Sequence, residues 1–127
     1  MVVQEYKTIL TNFAGSIPVN LAGPDRVTYI LSNLDKLKPE ESLVLHNLLN
    51  RLLTSMIERD ASDIELGGHG NGGFIWLRLY GKKERIKDFP QLNNDESAII
   101  IANMLNANQR AFLIENKNLD FSYTFMY

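Results

Sequence analysis

The sequence predicts an α+β fold with a mainly antiparallel sheet and helices on one of its faces. Three observations lead to this prediction. Apolar residues recur at helical spacing through residues 39–59, β-rich segments interrupted by glycines follow residue 60, and a helical pair precedes a last alternating segment, Leu119–Phe125. Strands interrupted by helices, with hairpin-length links, are typical of an α+β domain. A chain of 127 residues suffices for one such domain.

The first 38 residues predict two short helices separated by a turn. Apolar residues recur at helical spacing from Tyr6 to Phe13, and Gly15 stands where a C-terminal cap is expected. Pro24 suits the first turn of the second helix, since proline lacks the backbone N–H that would be unpaired there.

A longer helix is predicted from Pro39 to about Arg59. Pro39 is followed by Glu40 and Glu41, whose charges suit the positive end of the helix dipole. A continuous amphipathic stripe then runs from Leu45 to Ile57, which indicates a helix that packs on a core.

Three strands are predicted next, over Ser62–Leu66, Phe74–Tyr80 and Lys83–Phe89. The glycine-rich run Gly67–Gly73 separates the first two, and Gly81 predicts a tight hairpin between the second and the third.

Two helices are predicted after the strands. Asn93 and Glu96 have the spacing of a capping box and open a helix through about residue 105. Asn108 is the expected cap of a second helix, which covers Gln109 to about Asn116.

Composition excludes several classes of function. The net charge is −2, so no electrostatic signature of a nucleic-acid-binding protein exists, and the run Lys82–Arg85 reads as a solvated strand face. The chain has no cysteine, which excludes disulfides and thiol chemistry. The first residues lack the pattern of a secretory signal, and no apolar run is long enough for a membrane span. We therefore predict a cytoplasmic protein without membrane insertion.

The glycine run contains the spacing G-x-G-x-x-G from Gly68 to Gly73. In a dinucleotide-binding site a helix must follow, so that its N-terminus meets the pyrophosphate. Branched and aromatic residues from Phe74 onwards favour a strand instead, and no P-loop lysine follows. A loop of a β-hairpin is the better interpretation.

The remaining candidates for chemistry are few. His46 and His69 lack partners at metal-ligand spacing, so no metal site is predicted. Asp60, Asp63 and Glu65 surround the first strand and could hold a cation or form an acid–base pair, but acids in such places commonly cap a helix or solvate an edge.

Trp76 and Tyr80 share one face of the second predicted strand. They could stack a nucleic-acid base, but basic residues are not evident near them, so we predict that both pack in the core.

Four segments in register resemble the N-terminal domain of motor ATPases of type IV pili and type II secretion systems (the PilT and GspE type). The first segment, Leu52–Ile57 followed by Arg59–Leu66, resembles the family's opening of a helix and then A-S-D-[IL]-H-[IL], and Trp76–Gly81 resembles its x-R-x-D-G strand. Asn93 with Glu96, then Leu105–Arg110, resembles its L-N…E…I-[LM]-[ND]-x-x-Q-R helical pair, and Asn118–Tyr123 its E-x-D-[FL]-S-[FY] strand. The matched positions, which the resemblance suggests are structural or interfacial, are Ala61, Ser62, Asp63, Arg78, Gly81, Gln109, Arg110, Asp120 and Phe121.

The sequence departs from the family pattern in places. Glu65 stands where the family usually has histidine, and Tyr80 where it usually has aspartate. The glycine loop replaces a segment that commonly carries proline, and residues 1–45 are not covered by the resemblance. The family's Walker A loop, acidic boxes and histidine box are not in the sequence.

The resemblance implies a PAS-like domain over residues 39–127, preceded by an N-terminal helical extension over residues 1–38. Such a domain is not catalytic and holds no cofactor, since ATP and Mg²⁺ bind the missing ATPase core. It belongs to a hexamer, contacts the ATPase core of its own or a neighbouring subunit, and transmits nucleotide-driven motion in pilus retraction (twitching motility) or protein secretion. Its further partners are the pilus or secretion machinery at the inner membrane.

Two other functions remain open at this point. A free-standing PAS-like sensor or adaptor would bind a small ligand or a regulatory protein, and an apolar cavity under Trp76 would favour it. A truncated paralogue would instead cap a full-length motor by occupying its inter-subunit surface.

Overall fold

The computed structural model describes residues 3–68, 70, 72–89, 91–119, 121 and 123. Within them the fold is α+β, as predicted, with five α-helices and a three-stranded antiparallel sheet. The elements in chain order are α1 (Val3–Gly15), α2 (Gly23–Asn33), a 3₁₀ turn (Leu34–Lys36), α3 (Pro39–Glu58), β1 (Asp63–Glu65), β2 (Trp76–Leu79), β3 (Lys82–Arg85), α4 (Asn94–Ala102) and α5 (Ala107–Asn116).

One apolar core joins the helices and the inner face of the sheet. Its most deeply buried side chains come from α1, α3, β2 and α4, and include Leu10, Leu52, Leu77 and Ile99. Burial of such side chains from water is the main force that holds the elements together.

The helices predicted within residues 1–38 are present, but they do not stand apart from the rest. Tyr6, Leu10 and Phe13 of α1 are buried in the same core as α3 and α4, and α2 packs against α4 and α5. Among the described residues, α1 and α2 therefore share one core with the later helices. The domain boundary at residue 38 stays a prediction.

The sheet has the order β1-β2-β3, and both pairings are antiparallel. Tyr80 and Gly81 form the two-residue turn between β2 and β3, with φ of 51° and 83°. Positive φ at both positions is the signature of the type I′ hairpin turn, which confirms the tight hairpin predicted at Gly81. β3 ends at Arg85 and does not continue to Phe89, although the Ile86 N–H still donates to the Ile75 oxygen at 2.8 Å.

The prediction that Trp76 and Tyr80 pack in the core is wrong. Leu77 takes the core-facing position of β2 and is 1% exposed, so Trp76 points to the opposite face and is half-buried. Tyr80 belongs to the turn and is 85% exposed.

The capping box at Asn93 and Glu96 is confirmed: the Glu96 N–H donates to the Asn93 side chain, and the Asn93 N–H donates to the Glu96 carboxylate. The cap predicted for α5 is wrong by two residues. Asn106 caps the helix, because its side chain accepts from the Gln109 N–H at 2.8 Å and the Gln109 side chain accepts from the Asn106 N–H at 2.9 Å. Asn108 lies inside the first turn.

The last predicted strand is not seen in the described residues of its range. Leu119, Phe121 and Tyr123 have irregular backbone, and the other positions of Leu119–Phe125 lie outside the described residues. Of the helices in the described part of the chain, none combines the length and the apolar character that crossing a membrane requires.

Candidate functional site

Five of the positions matched by the resemblance meet at one end of the sheet: Ala61, Ser62, Asp63, Arg78 and Gly81. The Ser62 N–H donates to the Arg78 oxygen at 3.0 Å, and Asp63 is the cross-strand partner of Arg78. The Arg78 guanidinium in turn donates to the Gly81 oxygen at 3.2 Å. These five residues are called the hairpin-end cluster below.

The backbone at the end of α3 leads directly into the hairpin-end cluster. Asp60 follows the end of α3 with φ of 58°, a left-handed conformation that aspartate tolerates better than most residues. The next N–H, that of Ala61, donates to the Met56 oxygen at 2.9 Å and closes the helix end. The sheet therefore starts directly from the C-terminus of α3.

The hairpin-end cluster presents polar groups to solvent. Ser62 and Asp63 are exposed, and the Ser62 hydroxyl donates to the Asp63 carboxylate at 2.7 Å. The Tyr80 hydroxyl donates to the Asp60 carboxylate at 3.2 Å, so the turn is tied back to the end of α3. These exposed polar groups are therefore hydrogen-bonded to one another at the end of the sheet.

The acidic residues around β1 each have their own neighbour. Asp60 accepts from Tyr80, Asp63 accepts from Ser62, and Glu65 lies 2.8 Å from the Lys83 ammonium. Within the described residues there is no group of three histidine, cysteine, aspartate or glutamate side chains that could hold a metal ion. The absence of a catalytic site and of a cofactor stays a prediction.

The other matched positions lie elsewhere. Gln109 completes the capping box of α5, and the Arg110 guanidinium is 3.5 Å from the Asp35 carboxylate beside the 3₁₀ turn. Phe121 is 38% exposed, and Asp120 lies outside the described residues. Gln109 therefore has a structural explanation that is independent of any interface.

The glycine loop between β1 and β2 folds onto the start of α4. The Gly73 N–H donates to the Gly68 oxygen at 2.9 Å, and the Leu92 N–H donates to the Gly73 oxygen at 2.7 Å. A Cβ atom at Gly67 would collide with the carbonyl oxygens of Gly73 and Leu92, so this position requires glycine. A strand follows the loop, as predicted, so the run is a packed loop between strands.

An ion pair beside this loop, between the partly exposed Lys7 and the buried Glu96, was not predicted from the sequence. Glu96 is 3% exposed, and the Lys7 ammonium contacts its two carboxylate oxygens at 2.7 and 2.8 Å and donates to the Gln91 oxygen at 2.8 Å. The pair lines an open pocket of about 550 Å³. The residues stand 89 positions apart, so no local pattern signals their pairing.

His46 of α3 contacts Tyr123. Its Nε2 atom lies 2.9 Å from the Tyr123 hydroxyl, which also donates to the Asn50 side chain at 2.8 Å. The two rings meet edge to face with centroids 5.8 Å apart. The other histidine, His69, lies outside the described residues.

The space beside Trp76 is small. The cavity bounded by Glu65, Trp76, Arg78 and Lys83 measures about 10 Å³, which holds about one water molecule. An apolar cavity at this place was the feature that would have favoured a small-ligand sensor, and it is not found in the described structure.

Comparisons of the chain with protein-family models, with curated proteins and with solved structures give no match. The resemblance to motor ATPases therefore depends on the four sequence segments alone.

Proposed function

We propose that this chain is a non-catalytic N-terminal domain of a hexameric pilus-retraction or secretion ATPase. It forms contacts between subunits and transmits motion that ATP binding and hydrolysis produce in the ATPase core. Its partners are that core, from the same or a neighbouring subunit, and the machinery at the inner membrane.

One observation carries the proposal. The resemblance draws Ala61, Ser62 and Asp63 from one sequence segment and Arg78 and Gly81 from another, and these segments are in contact on adjacent strands. Residues that were chosen for their motifs alone thus form one cluster with direct hydrogen bonds. Hydrogen bonds between the two segments make one exposed surface from residues that two separate motifs supply, which supports a shared role at an interface.

The cluster is firmly coupled to the body of the domain, as a force-transmitting contact requires. Leu77 and Ile75 on the same hairpin are 1% and 2% exposed, and the Ala61–Met56 hydrogen bond joins the start of the sheet to α3. A displacement of the exposed end of the hairpin is therefore passed to the core, since packed interiors transmit strain.

The experiment is a binding measurement with a matched pair of variants. The purified chain is titrated by calorimetry into the ATPase core of a pilus-retraction motor that lacks its own N-terminal domain. Asp63→Arg places a reversed charge in the cluster, and Glu115→Arg makes the same change of net charge at an exposed position of α5. Circular dichroism melts establish that both variants fold.

The proposal predicts that the wild type binds the core and that Asp63→Arg weakens binding by about tenfold, a typical cost of like charges at an interface. Glu115→Arg should bind as the wild type does. No binding by the wild type, or equal binding by all three proteins, would contradict the proposal.

The chain alone should neither bind nor hydrolyse ATP. A hydrolysis rate that is lost on a point change without loss of folding would overturn the non-catalytic role.

A further inference from the structure

The β2–β3 hairpin concentrates the basic charge of an otherwise acidic chain. Residues 74–87 contain five of the 13 lysines and arginines but one of the 15 acidic residues. All four residues of β3 are exposed. The solvated strand face predicted from the sequence is confirmed, and the strand itself carries three basic residues and one acidic residue.

The hydrogen-bond alternation of the hairpin shows which backbone groups face outwards. The Ile86 N–H donates to the Ile75 oxygen, so in the antiparallel ladder the backbone groups of Glu84 and Lys82 also point to β2. Those of Lys83 and Arg85 point away from it. No strand lies beyond β3 in the part of the chain that the structure describes, so these groups form an open edge.

The side chains of Lys83 and Arg85 project from the face opposite the core. The Lys83 ammonium lies 5.4 Å from the centre of the Trp76 ring, and the Arg85 guanidinium lies 4.2 Å from the centre of the Phe74 ring. Lys83 is also paired with Glu65, whereas Arg85 has no carboxylate partner among the described residues. A guanidinium that stacks on a ring keeps its N–H edge available for a carboxylate.

From these observations we infer that the β3 edge binds an extended acidic segment of another protein, which adds to the sheet as a further strand. Backbone groups of Lys83 and Arg85 hydrogen-bond to the incoming strand. Acidic residues spaced two apart on that strand pair with the Arg85 guanidinium and with Lys83, which exchanges Glu65 for the new carboxylate. This inference does not depend on the proposed ATPase role.

Other occupants fit the edge less well. A second copy that paired β3 with β3 would set lysine and arginine against themselves, and like charges across a ladder are destabilising. A nucleic acid or an anionic membrane could meet the positive charge, but neither offers the row of backbone donors and acceptors that an open strand edge requires.

The probe is a fluorescein-labelled peptide of about eight residues that alternates glutamate and valine, a length typical of a strand. Its binding to the full chain is followed by fluorescence anisotropy at about 50 mM salt, where screening is moderate. A control peptide carries N-methyl groups on its glutamates, which keeps every charge and removes the N–H donors. A thymidine oligonucleotide and vesicles with anionic lipid are tested in parallel.

The inference predicts saturable binding of the glutamate–valine peptide and about tenfold weaker binding of the N-methylated one. Arg85→Glu should weaken peptide binding by about tenfold, while Lys36→Glu, the same charge change at an exposed position away from the hairpin, should leave it within about twofold. In amide NMR spectra, the N–H signals of Lys83 and Arg85 should shift and gain protection from exchange when the peptide binds. The signals of Lys82 and Glu84 should change less, because their N–H groups already point to β2.

The inference is overturned if the peptide does not bind. The lysines of β3 would then serve to prevent other strands from pairing with this edge. Equal binding of the N-methylated peptide, or tighter binding of the oligonucleotide or the vesicles, would show a surface for polyanions without strand addition. Self-association of the chain that Arg85→Glu abolishes would assign the edge to a second copy.

Discussion

Replacing Tyr6 by phenylalanine should make the protein more stable. Tyr6 is 1% exposed, and its hydroxyl oxygen is buried without a hydrogen-bond partner among the described residues. A buried polar group without a partner costs about 1–3 kcal/mol, because it has lost its bonds to water and gained none. The Tyr6→Phe change removes that group and keeps the ring that packs in the core. We expect the free energy of unfolding to rise by about 1 kcal/mol at neutral pH.

The gain should increase at alkaline pH. Burial raises the pKa of Tyr6 to about 12, with a lowering contribution from Arg51 and a raising one from Glu96. The folded state therefore holds this proton where the unfolded state, with a pKa near 10, has released it. Stability linked to the Tyr6 proton is complete below about pH 10 and is lost between about pH 10 and 12. The difference between variant and wild type should thus widen by about 1 kcal/mol between pH 8 and pH 11.

The assay is urea unfolding of both proteins at pH 8 and pH 11, followed by far-ultraviolet circular dichroism. Tyr29→Phe is the matched control, because the Tyr29 hydroxyl donates to the Ser16 oxygen at 3.0 Å and its removal should cost about 0.5–1 kcal/mol. A Tyr6→Phe protein that is less stable than the wild type at pH 8, with no widening at pH 11, would refute the reasoning, since the hydroxyl would then have a partner.

Three further predictions concern contacts that hold the elements together. Lys7→Met leaves the buried Glu96 carboxylate without its cation and should lower the free energy of unfolding, measured with urea, by about 2 kcal/mol. This loss is below the range for fully buried pairs because the Lys7 side chain is 36% exposed. The double change Lys7→Met with Glu96→Gln should recover part of the loss. Asn106→Ala removes the cap of α5 and should lower the free energy of unfolding by about 1 kcal/mol, whereas Asn108→Ala should leave it nearly unchanged. Equal effects of the two changes would contradict the assignment of Asn106 as the cap. Gly81→Ala forces a side chain to φ of 83° and should lower the melting temperature through a loss of about 1 kcal/mol, although nothing crowds the site.

The elements that local chemistry determines could be predicted from the sequence. Pro39 opens α3, and the reciprocal bonds of Asn93 and Glu96 open α4, because both signals act within one helical turn. For α5, the same local signals led to the wrong N-terminal cap. Asn106 and Asn108 are both good capping residues, and the glutamine three positions after Asn106 decides between them.

The burial of individual strand residues could not be predicted in the same way. Alternation assigns Trp76 and Leu77 to opposite faces but does not say which face meets the core. The prediction that Trp76 packs in the core depended on the lack of evident basic residues near it, but Leu77 takes the core-facing position. Trp76 therefore faces outwards, where the Lys83 ammonium lies 5.4 Å from the centre of its ring.

Contacts between residues that are far apart in the sequence could not be predicted from local patterns either. Lys7 and Glu96 meet because α1 packs on α4, and Tyr123 contacts His46 from a position 77 residues away in the sequence. The pairing of the two strands that carry the hairpin-end cluster follows from the predicted hairpin, whereas the bond of the Arg78 guanidinium to the Gly81 oxygen does not follow from the sequence.

The most direct test of the proposed function is to read the coding sequence immediately downstream of the Tyr127 codon. A domain of a motor ATPase predicts that the frame continues into an arginine-bearing strand and then a G-x-x-x-x-G-K-[ST] loop, whose backbone and lysine hold the phosphates of ATP. A stop codon directly after Tyr127 would contradict that account and would favour a free-standing adaptor.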